Sequence, residues 1–101
     1  MAKYWFAKHP DGKLLQGSVA WDAAAIPDGD EEAKEVTITG AALGDFVLAS
    51  LSIDVGDLSL SAAVTAADTI TFVLSNNTGG AIDLAAATSY ALVIPKATYS
   101  S

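Results

Sequence analysis

From residue 35 onward, apolar and small polar residues alternate in bursts too short for a helix, and Gly or Asp cuts off each burst. "EVTIT" sets Val36 and Ile38 against Thr37 and Thr39. A period of two belongs to a strand with one covered face, because successive side chains point to opposite sides of a sheet. "DFVLASLSI" puts Val47, Ala49, Leu51 and Ile53 on one side. Phe46, Leu48, Ser50 and Ser52 fall on the other, so this strand is expected to be covered on both sides at its start. "DLSLSAAV" turns Leu58, Leu60, Ala62 and Val64 inward, and "DTITFVLS" does the same with Ile70, Phe72 and Leu74. In "SYALVIP" the inward phase is assigned to Tyr90, Leu92 and Ile94, and Pro95 stops the pairing.

The spacers are short: 40–45, 54–57, 65–68 and 76–81. Strand starts recur every ~10–13 residues through this region, the spacing of an antiparallel sandwich. Ala-rich "AALG" and "DLAAATS" favour a helical turn, yet neither leaves room for a long helix. The fold class expected is all-β, an antiparallel β-sandwich of jelly-roll-like or Ig-like kind with about 7–8 strands. Its expected core is Val36, Ile38, Val47, Leu51, Leu58, Leu60, Val64, Ile70, Phe72, Leu74, Leu92 and Ile94.

Ahead of this rhythm, "YWFAKHPDGKLLQ" reads as a hairpin, with Pro10 suited to the first turn corner and Gly12 to the exit. A short strand is expected at 19–21, then an acidic loop over 27–35 punctuated by Pro and Gly. At 101 residues the chain is one domain by size. Within it, residues 1–18 form an N-terminal hairpin or arm and 19–101 the sandwich.

Composition narrows the function. Cysteine is absent, which removes disulfides, thiolate nucleophiles and thiolate metal sites. The formal charge is −7 and there is no arginine, so phosphate backbones are repelled and bidentate base contacts are missing. No nucleic-acid partner is expected. No run approaches the ~18 apolar residues of a membrane helix, and Lys8, His9, Pro10 and Asp11 interrupt any leader-like start. A soluble protein made in the cytoplasm, with no membrane partner, is expected. The charge is uneven: residues 1–18 set Lys3, Lys8 and Lys13 against Asp11, a balance of +2. Residues 19–101 set Lys34 and Lys96 against eleven acids, a balance of −9.

Each residue that invites a chemical role has a plainer one. Asp45, Asp57 and Asp68 each precede an expected strand, and Asp54 and Asp83 lie in expected turns. Aspartates there close turns by accepting nearby backbone N–H bonds. Asp28, Asp30 and Glu31 in "PDGDEEAKE" miss the register of a calcium loop. Ser50 lacks the flanking glycines of a nucleophile elbow, and His9, the single histidine, lies in a turn. Asn76-Asn77-Thr78 matches a glycosylation acceptor but reads as a turn with "NNTGG". No enzyme activity, cofactor or metal is expected. Adhesion is left: Tyr4, Trp5 and Phe6, flanked by Lys3 and Lys8, suit an arm whose aromatics anchor and whose lysines steer toward an acidic partner. The same segment would equally serve as an edge strand capping the domain's own core.

"GSVAWD", then "VTITGAALGDFVLASLSIDVGDLSLSAAVTAADTITFVLSNNTGGAIDLA" and a last apolar strand, resembles small virion proteins of tailed bacteriophages. The resemblance spans residues 17–95. It implies a non-enzymatic structural protein located on the virion after synthesis in the host bacterium. The form expected is a capsid decoration, or cement, protein that assembles as a homotrimer and binds the major capsid protein. A neck, tail or fibre component is the alternative within that class. A carbohydrate-binding sandwich, with Trp5, Trp21 or Tyr99 lining a sugar platform, is the alternative from another class.

Overall fold

The computed structural model describes residues 14–96. It contains six strands: β1 (Leu15–Trp21), β2 (Glu31–Thr37), β3 (Phe46–Leu51), β4 (Ser59–Ala66), β5 (Thr69–Ser75) and β6 (Ala87–Ile94). They form two three-stranded antiparallel sheets, ordered β1-β6-β3 and β2-β5-β4. The described part is therefore all-β. The strand β1 runs unbroken across residues 18 and 19, where arm and sandwich were expected to meet. The first limb of the expected N-terminal hairpin lies outside the described residues.

One core joins the sheets. Trp21 of β1 and Ala91 and Val93 of β6 share it with Val64, Ile70, Phe72 and Leu74 of β4 and β5. The Trp21 and Phe72 rings meet with centroids 6.5 Å apart, tilted at 39°. Phe72, Ile70 and Val93 have no exposed surface. Ile38 and Leu58 are buried as the alternation predicts, and Val36, Val47, Leu51 and Leu60 pack against the core from its margin. Trp21, Ile26, Ala41 and Ala91 join them without having shown a period in the sequence.

Three expectations are corrected. In β6 the inward residues are Ser89, Ala91 and Val93, while Tyr90, Leu92 and Ile94 point to the other face. The bulkier residues suggested the opposite phase, and a slip of one residue inverts a strand completely. Leu92 and Ile94 thus leave the core. Next, β3 is not covered on both faces: Phe46 is 55% and Leu48 59% exposed. Finally, the acidic stretch read as loop over 27–35 supplies most of β2. Glu32 and Lys34 lie opposite Leu74 and Phe72 and are half-buried, on the same side as the core. Charges pointing inward on an edge strand block pairing with foreign strands, at a cost in apolar area.

Three of the aspartates expected in turns, Asp45, Asp54 and Asp68, close loops. Asp45 accepts the Ala42 N–H through Oδ2 (2.9 Å) and the Lys96 N–H through Oδ1 (2.9 Å). Asp54 accepts from Gly56 N at 2.9 Å. Asp68 has a left-handed backbone (φ 60) in the β4–β5 hairpin, and its carboxylate accepts the Gly40 N–H at 2.8 Å. Its own N–H donates to the Ala41 carbonyl, and its carbonyl accepts from Ile38, both at 2.8 Å. One residue therefore ties the hairpin to the turn that follows β2.

Candidate functional site

The two sheets differ in their outer faces. On β2-β5-β4 the outward residues are Glu31, Ala33, Glu35 and Thr37, then Thr69, Thr71, Val73 and Ser75, then Ser59, Ser61, Ala63 and Thr65. That face is polar and acidic. The sheet β1-β6-β3 contains no charged residue in any of its three strands. Its outer face is built in rows by the register. Phe46 lies opposite Ile94, Leu48 and Gln16 flank Leu92, and Ser50 and Ser18 flank Tyr90. Leu14 stands just before β1 at the Ile94 end.

This face is exposed as well as apolar. Phe46, Leu48, Tyr90 and Leu14 are 55%, 59%, 47% and 40% exposed, and Leu92 and Ile94 are half-buried. A shallow groove crosses β6 between β1 and β3, lined by Gln16, Leu48, Ser50, Tyr90 and Leu92. Single exposed apolar residues are ordinary, whereas a contiguous set on one sheet face marks a surface built for contact. Gln16, Ser18, Ser50 and the Tyr90 hydroxyl add donors and acceptors without charge.

The residues singled out in the sequence are distributed otherwise. Lys3, Tyr4, Trp5, Phe6, Lys8, His9 and Tyr99 lie outside the described residues. Trp21, one of the candidates for a sugar platform, is 6% exposed and stacked toward Phe72, so its ring is core. Among the described residues no three His, Asp or Glu side chains gather as metal ligands do. No helix among them is long and apolar enough to cross a membrane. Ser89 is fully buried with an unpaired hydroxyl, and its register neighbours Val19 and Leu51 have nothing to take its proton.

Asn76 is the polar centre of the fold. It is fully buried, and its Nδ2 donates to the Ile26 carbonyl (2.7 Å) and the Gly80 carbonyl (2.8 Å). Its Oδ1 accepts from the Thr78 N–H (2.9 Å) and the Thr78 hydroxyl (2.7 Å). The glycosylation match at Asn76 therefore falls on an amide whose two donors are both engaged. The sequence marked this residue as a turn former and missed its burial. The outer face of β1-β6-β3 was missed for a different reason, the inverted phase of β6. Absence of charge did not mark it, since residues 59–66 and 69–75 of the other sheet carry none, just as 15–21, 46–51 and 87–94 do.

No family model, curated protein or solved structure matches this chain.

Proposed function

We propose that this is a non-enzymatic structural protein of a tailed-phage virion, a capsid decoration protein that self-associates, as a homotrimer, and binds the head shell. The observation that carries the reading is the uncharged, apolar outer face of β1-β6-β3 on an otherwise acidic domain. A protein that works by lodging against neighbours requires such a face and a rigid body behind it. The single core and the short turns closed by aspartates supply that body. In this reading the protein is an antiparallel β-sandwich of jelly-roll-like or Ig-like kind with about 7–8 strands. The segment with Lys3, Tyr4, Trp5, Phe6 and Lys8 docks on the major capsid protein, its aromatics anchoring and its lysines steering.

The test is deletion of residues 1–8, followed by mixing with undecorated phage heads and cryo-electron microscopy. The expected result is a folded protein that no longer decorates the shell. Full occupancy by the truncated protein would remove the docking role from this segment. Absence of the intact protein from purified virions, read by mass spectrometry, would remove the virion role altogether.

A further inference from the structure

We propose that the outer face of β1-β6-β3 is the contact between copies of this chain. The inference rests on the self-association in the proposed function and names the surface that makes it.

The first argument is electrostatic. Each copy carries a formal charge of −7. Two such bodies repel wherever carboxylates face carboxylates, and juxtaposed like charges work against an interface. On β2-β5-β4 the outward Glu31 and Glu35 would meet their own kind. The strands of β1-β6-β3 present none, so a second copy can close on this sheet without trapping an unpaired charge.

The second argument is the chemistry of the face. Copies of one surface must be complementary to themselves when the contact is two-fold, and to a neighbouring patch when the assembly is a ring. Leu48, Tyr90 and Leu92 are largely apolar and suit each other in either arrangement. Gln16, Ser18 and Ser50 carry both donors and acceptors, so each can satisfy its own copy. A central aromatic and aliphatic cluster with an uncharged polar rim is the composition of an interface core. The groove across β6 gives a protruding Leu48 from a second copy somewhere to seat.

Light scattering after size exclusion, over a concentration series, reads the mass of the intact chain and two variants. Leu48→Lys places a charge on the face at an exposed position. Ala63→Lys does the same on the outer face of the other sheet. Circular dichroism verifies that both remain folded. The expected result is an oligomer for the intact chain and for Ala63→Lys, and at least a tenfold weaker association for Leu48→Lys. An unchanged oligomer in Leu48→Lys would overturn the assigned surface and leave self-association standing through another one. An intact chain that is monomeric at all concentrations would overturn both. If that monomer still binds phage heads and Leu48→Lys does not, the occupant of the face is the shell and not a second copy. If deleting residues 1–8 from that monomer raises hydrogen exchange in β3 and β6, the occupant is the chain's own N-terminal segment.

Discussion

Asn76 shows how far a single residue can depart from its reading in a sequence. "NNTGG" is a turn by composition, and the turn is real, with Gly79 at φ 96. What composition does not reveal is that the 26–30 segment folds back over it. The Gly29 N–H donates to the Asn76 carbonyl at 2.6 Å, and the Asn76 N–H donates to the Asp30 carbonyl at 3.0 Å. The Asp28 carboxylate reaches Gly79 N at 3.0 Å from a neighbouring position. Such long-range partners leave no trace in local spacing. Replacing Asn76 by Ala removes four hydrogen bonds and takes the acceptor from the Thr78 N–H, while the Ile26 carbonyl keeps the Ile82 N–H and the Gly80 carbonyl keeps the Thr78 hydroxyl. Each buried polar group left unpaired costs about 1–3 kcal/mol, part of which water entry recovers near the surface. The variant Asn76→Ala is expected to lose about 2–4 kcal/mol, read as a lower midpoint in urea at unchanged slope. A loss within ~0.5 kcal/mol, typical of surface substitutions, would mean that the amide does not hold the two segments together.

The strands divide by how much contrast their alternation carries. In β5, Ile70, Phe72 and Leu74 stand against Thr69, Thr71 and Ser75, and the phase is plain in the sequence. In β6 both phases carry apolar residues, Ala87, Ala91 and Val93 on one and Tyr90, Leu92 and Ile94 on the other, so the larger side chains misdirect the choice. The winning phase places small residues inward because the opposite sheet comes close. Gly17 of β1 lies opposite Ala91, and a Cβ added there would sit 2.8 Å from the Ile38 Cγ1. Small Gly17 and Ala91 thus make room for Ile38, which is 5% exposed. Strand β2 was hidden for the reverse reason, since "EEAKE" has no bulky apolar residue and gains its strand state from the β5 ladder. Gly17→Ala gains favourable strand propensity but must push Ile38 aside. Overpacking of this kind costs about 1–3 kcal/mol, so the variant is expected to melt several degrees lower in calorimetry. A rise in melting temperature would show that Ile38 can move away freely. The double variant Gly17→Ala with Ile38→Val should recover part of the loss, because the Cδ1 methyl 3.0 Å from the added Cβ is gone while the γ carbon stays.

At the scale of the whole molecule, the charges of the six described strands are confined to one edge strand, β2. Glu31, Glu32, Lys34 and Glu35 all lie in β2, while the strands of β1-β6-β3 are neutral. The sequence shows the charged band at 28–35, but which uncharged strands share a face with it required knowing which strands are neighbours. Strands β1, β3 and β6 are far apart in the chain and share a sheet only through long-range pairing. Two contacts proposed for this protein therefore have opposite salt dependence. Between copies, apolar burial attracts while two bodies of formal charge −7 repel at longer range. Salt shortens the reach of that repulsion, from a screening length of about 30 Å at 0.01 M to about 8 Å at 0.15 M. Salt leaves the uncharged face itself without a charge pair to lose. Self-association measured by sedimentation equilibrium is expected to tighten several-fold over this range. Docking guided by Lys3 and Lys8 onto an acidic shell should weaken over the same range, because there salt screens an attraction. A dissociation constant between copies that rises with salt would mean that opposite charges meet in the contact. The neutral sheet would then not be the surface they share.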